Sequence, residues 1–192
     1  MIALLVASGL GCGADDRQDD TPAGLGKLPA ADRRGAEGAV LRLWRLVQTG
    51  SLPVAVAQYD PKVVETLGAR DMAGALARQQ HELALLSPQI VSSEPTELGK
   101  LVIANAEARG RPVGRFSFLV GRTRAGWRVR YDTLLAESLP AYVEDRVRRQ
   151  AGSSTKERSP RQAAEAGQRA LEDFRGVFAS GPLEGASTPQ GR

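Results

Sequence analysis

The hydrophobic period of this chain changes at Pro88, and that change limits the folds open to it. Before Pro88 the apolar residues recur at helical spacing: Val40, Leu43, Trp44 and Val47 stand at i, i+3, i+4 and i+7. Gly50 stops that helix, and residues 52–59 can form a short second one. Asp60-Pro61 can open a third, because Asp caps and Pro is tolerated at the first helical position. Gly68 closes it, and Asp71 is placed to cap a fourth helix with Ala75, Leu76, Leu83 and Leu86 on its apolar face. After Pro88 the period becomes two. Residues 89–93 and 101–108 are candidate strands, and a turn at Arg109-Gly110 leads into 113–121, where Phe116, Phe118 and Val120 alternate with Ser117 and Leu119. The last strand places Trp127, Val129 and Tyr131 on one face and Arg128, Arg130 and Asp132 on the other. The expectation is an α+β fold in which N-terminal helices pack on one face of an antiparallel sheet.

Two helical stretches follow. Ser138 is placed to cap a helix with Pro140 in its first turn and Leu139, Val143 and Val147 on one side. Residues 151–159 read as a linker, and 160–178 as an amphipathic helix striped by Ala170, Leu171, Phe174, Val177 and Phe178. Its surroundings are charged, so we expect a separate, weakly docked element whose stripe suits a protein partner.

The 192 residues suit one domain with tails. Only one cysteine is present, so packing and not a disulfide must hold the fold. The net charge of +4 comes from arginines interleaved with carboxylates along the chain, a solvated surface and not the one-sided patch of a nucleic-acid binder.

That cysteine, Cys12, ends the apolar run that begins at Ile2, and a polar stretch with Asp15, Asp16, Asp19 and Asp20 follows it. The order resembles the end of a bacterial lipoprotein signal peptide, with the small Gly11 before the cysteine. The resemblance implies lipidation at Cys12, attachment to a membrane through the lipid, and a place in the bacterial cell envelope. The alternative is an ordinary apolar N-terminus. On the first reading, 1–11 is a signal peptide and 12–34 a flexible tether, since 13–34 has no apolar period.

Helices first, then strands closing on Gly126-Trp127-Arg128-Val129, resemble the nuclear transport factor 2-like superfamily over about residues 35–136. The stretches that carry the likeness are 39–50 with the following 52–59, and 116–134. That resemblance implies a cone, a curved sheet wrapped around helices with a pocket at the open end. The division is then a cone domain at 35–150, a linker at 151–159, the helix at 160–178 and a disordered tail at 179–192. The side chains that would line such a pocket are Trp44, Tyr59, Phe116, Phe118, Trp127 and Tyr131.

The superfamily contains isomerases and dehydratases as well as members without catalysis, so chemistry has to be sought in residues. His81, the single histidine, has Gln79, Gln80 and Glu82 beside it and reads as solvent-facing. Asp132 alternates with Arg128 and Arg130 and reads as a surface ion pair. Glu107 stands at a strand end near Arg109 and reads as exposed. One histidine and one cysteine exclude a usual zinc site, and the Asp15 to Asp20 run lacks the spacing of a calcium loop. No cofactor is expected. Three functions remain: a non-catalytic binding cone, an isomerase- or dehydratase-type enzyme, and an interaction subunit of an envelope or secretion assembly.

Overall fold

Glycines and caps divide the helical half as the sequence suggests. The computed structural model describes residues 35–152 and 160–179; Cys12, the expected leader and tether, most of the expected linker, and the tail past Ala179 lie outside the described residues. Four helices come first, α1 (Ala36–Gln48), α2 (Leu52–Val56), α3 (Pro61–Leu67) and α4 (Ala69–Leu83). Asp60 caps α3 by accepting the Lys62 N–H at 3.1 Å, with Pro61 at the first helical position. Gly68 ends α3 at φ +81°, a backbone region that favours glycine, and also serves as the residue before α4. Asp71 is therefore not the cap of α4 as expected. It sits in the first turn, where its carboxylate takes Arg146 at 2.7 Å. Gln48 ties the ends of α1 and α4 by donating to the Leu83 and Leu86 carbonyls at 2.8 and 2.7 Å.

The sheet is an open, four-stranded antiparallel meander of β1 (Ser87–Thr96), β2 (Gly99–Ala108), β3 (Arg111–Thr123) and β4 (Gly126–Asp132), in that spatial order. The strands run past the apolar stretches that signal them. Ladder pairs such as Ser87↔Glu107 and Thr96↔Gly99 recruit polar residues through backbone bonds alone, and Pro95 is tolerated because β1 is an edge. On the inner face Val102, Ala104 and Ala106 of β2, Phe118 and Val120 of β3 and Val129 of β4 are buried. Helix α1 lies across that face and touches all four strands. Its Trp44 meets Phe116 edge-on, ring centres 5.4 Å apart.

The other edge of the sheet, at β4, is covered. Residues 58–60 run parallel to it: Val129 N–H donates to the Gln58 carbonyl at 3.0 Å, and Asp60 N–H to the Val129 carbonyl at 2.8 Å. The expected helix over 52–59 thus ends at Val56, because Tyr59 is drawn into this pairing.

Helix α5 (Thr133–Gly152) leaves β4 without a loop. It begins five residues before the expected Ser138, because Asp132 supplies its cap; Ser138 lies inside and donates to the Leu134 carbonyl at 3.1 Å. Helix α6 (Pro160–Ala179) packs on α5, α3 and β4. Phe174 is fully buried, Ala163 is 1% exposed, and the Phe174 ring stacks on Tyr131 at 5.0 Å. This corrects the expectation of a separate, weakly docked helix. Phe174 of its stripe enters the chain's own core and Ala170, Leu171 and Val177 pack against it; that core runs on from α1 and the sheet through Leu134, Leu135 and Leu139.

Candidate functional site

The most unusual chemistry in the fold is a carboxyl group inside it. Strict alternation would put Asp132 on the solvent side with Arg128 and Arg130, but β4 carries a bulge. Its register passes from Tyr131, opposite Leu119, directly to Val129, opposite Val120, so Arg130 is the extra residue. The bulge advances the phase by one. Asp132 then stands opposite Phe118 on the inner face, 0% exposed, and the expected surface ion pair does not form.

One oxygen of Asp132 is used at once: Oδ1 accepts the Leu135 N–H at 2.7 Å as the cap of α5. The other, Oδ2, is buried without a well-formed hydrogen bond among the described residues, and so is the hydroxyl of Tyr59. The two side chains are neighbours, and each acts on the other's proton affinity. Burial pushes the Asp132 carboxyl up to about 6; the Leu135 and Leu134 N–H groups and the Tyr59 hydroxyl oppose that rise, and Glu137 adds to it. Burial, then the nearby carboxylate, holds the Tyr59 proton on well past its usual range. Tyr59 itself is 1% exposed.

Arg130, displaced by the bulge, lies over Gly121 and brings Nε to 3.3 Å from Asp60 Oδ2, while Nη1 donates to the Leu98 carbonyl at 3.3 Å. Asp60 thus caps α3 with one oxygen and holds Arg130 with the other.

A separate groove of about 630 Å³ opens between the helices. Leu67 at the end of α3, Leu139, Val143 and Val147 of α5, and Ala166 and Ala170 of α6 give it apolar walls. Its rim is ion-paired: Arg146 with Asp71 at 2.7 Å, and Glu165 with Arg161 at 3.0 Å and Arg169 at 4.0 Å. Arg146 Nε is buried and has no hydrogen-bond partner among the described residues. Asp173 lies further along the rim.

The side chains expected to line a cone pocket fall elsewhere. Trp44, Tyr59 and Phe118 are 0–1% exposed and belong to the packed core, while Phe116, Trp127 and Tyr131 are half-buried at its border. None of the six lines the groove. Trp127 lies beneath the Lys100 ammonium, 5.9 Å from its ring centre. Lys100 also reaches Glu37 at 3.4 Å, and Ser93 donates to the same carboxylate. Burial would raise Glu37, but Ser93, a backbone N–H and Lys100 outweigh it and hold the group below its usual range. His81 is exposed and Glu107 half-buried. Among the described residues no cluster of three or more His, Cys, Asp or Glu could hold a metal ion, and no helix is long and apolar enough to cross a membrane.

Sequence reasoning passed over the Tyr59–Asp132 pair and the groove. Neither has a local signature, since the pair depends on a one-residue bulge and the groove on the docking of α6.

The fold defines an α+β protein with an open antiparallel sheet and six helices among the described residues, four before the sheet and two after it. No protein-family model, curated protein or solved structure matches the chain.

Proposed function

We propose that this chain is a lipid-anchored protein of the bacterial cell envelope whose folded part is a non-catalytic binding module, built as a nuclear transport factor 2-like cone. Helices followed by an antiparallel meander, with α1 across its inner face, support the cone. The apolar run that ends in Gly11-Cys12 supports the anchor. The observation that carries the binding role is the groove among α3, α5 and α6, whose apolar walls under an ion-paired rim suit an apolar ligand or an apolar segment of a partner.

Two measurements test this reading. A fatty-acid analogue fed to cells should label the wild-type chain and leave Cys12→Ser unlabelled; equal labelling removes the anchor. The neutral dye N-phenyl-1-naphthylamine should brighten on binding the wild type, and Ala170→Trp, which fills the groove, should abolish the gain. A dye response that ignores Ala170→Trp removes the groove as the binding site.

The Tyr59–Asp132 pair favours a second reading, an isomerase-type enzyme using a buried carboxyl as its acid or base. That reading requires substrate to reach a side chain that is 0% exposed and does not line the groove. The third reading, an interaction subunit, would use the same α5–α6 groove, because Phe174 of the α6 stripe is already buried in the chain's own core.

A further inference from the structure

Asp132 stands where three parts of the fold meet. It ends β4, caps α5, and faces Tyr59 on the segment 58–60 that seals the edge of β4. We propose that Asp132 and Tyr59 form a proton-operated latch, which seats residues 58–60 on β4 when the carboxyl is protonated and loosens them when it ionises.

The geometry supplies both states. With the proton on, Asp132 Oδ2 and the Tyr59 hydroxyl each carry a hydrogen and a lone pair, so either can donate to the other, and neither needs water. Oδ1 meanwhile keeps the Leu135 N–H. When the proton leaves to solvent, a full negative charge remains at a site that is 0% exposed. Two helix-cap N–H groups and one phenol stabilise it in part, and burial outweighs them. Water is the stronger solvating medium, and lifting the segment that carries Tyr59 is the short way to admit it. Two backbone bonds to Val129 and the Asp60–Arg130 ion pair join that segment to the strand, so the opening is local and need not unfold the domain.

Among the described residues no cation acts on the Asp132 carboxyl to neutralise the charge. Tyr59 faces Asp132 from the segment, and Glu137 acts on it from α5 with the same sign. Arg130 of β4 is drawn off to Asp60 and the Leu98 carbonyl. On α1, Glu37 is engaged by Ser93 and Lys100, Arg42 lies close enough to Arg128 to feel its charge, and Arg45 is exposed. The buried faces of α1, β3 and α6 offer Leu43 and Trp44, Phe118 and Val120, and Phe174, all uncharged.

The sign follows from linkage. The closed state raises the Asp132 carboxyl from 3.8 to about 6, so it binds the proton more tightly than the open state does. Its advantage is complete below about pH 4, falls by about tenfold for each pH unit as pH rises towards about 6, and levels off above that after a total loss of roughly 100-fold. Opening also has a consequence for the groove. Asp60 caps α3, and the last turn of α3 contributes Thr66 and Leu67 to the groove wall. Loosening residues 58–60 frees that wall, so a ligand would find the groove more adaptable at neutral pH than in acid.

Amide hydrogen exchange on the full chain tests the latch. Corrected for intrinsic exchange, the protection of the Val129 and Asp60 amides should fall roughly 100-fold between about pH 4 and about pH 6 and level off above about pH 7, while Val102 at the sheet centre stays constant. Asp132→Asn, which keeps the cap acceptor but cannot ionise, should make both amides insensitive to pH. Tyr59→Phe, which removes a hydroxyl that favours the carboxylate, should extend the fall in protection to higher pH before it levels off. A flat wild-type profile, or one whose pH dependence survives in Asp132→Asn, overturns the proposal. Should the Asn variant not fold, the Asp132 carboxyl carbon in the wild type decides. A titration midpoint near 6 supports the latch, and one below about 4.5 overturns it.

Discussion

Gly167 of α6 rests directly on Pro140 of α5: a β-carbon at 167 would stand 2.5 Å from the Pro140 carbonyl oxygen. The contact is with backbone, which cannot rotate away as a side chain can. It explains how a helix with a mostly charged surface comes so close that Phe174 and Ala163 are sealed beneath it.

Gly167→Ala should therefore destabilise the protein. Alanine favours a helix over glycine by up to about 1 kcal/mol, but overpacking against rigid backbone costs about 1–3 kcal/mol and wins. Gly176 lies in the same helix with no atom of the described residues within 4 Å of its missing β-carbon. Gly176→Ala should stabilise by about 0.5–1 kcal/mol. Urea unfolding of the two variants should shift in opposite directions, and a stabilising Gly167→Ala would show that α6 does not seat on α5.

Removing α6 should do more than either. Truncation after residue 152 uncovers Tyr131 and the sides of α3 and α5 that α6 protects, and takes Phe174 out of the core. Phe174→Ala alone should cost about 3–5 kcal/mol, as large-to-small changes at sealed aromatic positions do. The truncated chain should aggregate or lose its cooperative thermal transition; a transition like that of the full chain would return α6 to the role of a loosely attached arm.

The stability of the wild type should depend on pH through Asp132. Its folded-state value, about 6, lies above the ordinary 3.8. The contribution is therefore fully present below about pH 4 and is lost as pH rises through about 6. Asparagine at this position does not ionise, so Asp132→Asn should gain on the wild type by about 3 kcal/mol between about pH 4 and about pH 8. Denaturant midpoints at the two pH values measure it. A difference that does not change with pH would mean that the carboxyl ionises as freely in the fold as in the unfolded chain.

Arg130 and Gly121 should prove coupled. A β-carbon at 121 would lie 2.2 Å from Arg130 Nε, so Gly121→Ala must displace the guanidinium from Asp60. Arg130→Met removes the same contact and leaves Asp60, 8% exposed, without its cation. Each change should cost about 1–3 kcal/mol, and the double variant little more than Arg130→Met alone, because the clash disappears with the arginine. Additive costs would mean that the side chain does not lie over the glycine.

What could be read from the sequence was whatever repeats at a fixed spacing. Val40, Leu43, Trp44 and Val47 share the buried side of α1, and Phe118 and Val120 share the inner face of β3, as their periods imply. The period fails at Arg130, where one extra residue reverses the faces of Tyr131 and Asp132 and leaves no mark in composition. It also says nothing about partners distant in sequence. The stripe of α6 announced a buried side without showing that Tyr131 and α5 would cover it, and Tyr59 meets Asp132 only because residues 58–60 seal the edge of β4.

The two tryptophans provide a check on the packing that needs no knowledge of function. Trp44 is 1% exposed and wedged between α1 and the sheet against Phe116, whereas Trp127 sits half-buried at the start of β4 under Lys100. In Trp127→Phe the remaining fluorescence comes from Trp44, so it should be blue-shifted and resist quenching by acrylamide. In Trp44→Phe the signal comes from Trp127 and should quench readily. Stability should follow the same order. Trp44→Ala opens a sealed cavity at a cost of about 3–5 kcal/mol, while Trp127→Ala loses partial burial and one cation–π contact, about 1–2 kcal/mol. The sequence alone, with Trp127 on the same alternating face as Val129, would have ranked the two together. Equal quenching of the two single-tryptophan variants would place Trp127 in the core and show that the start of β4 is covered.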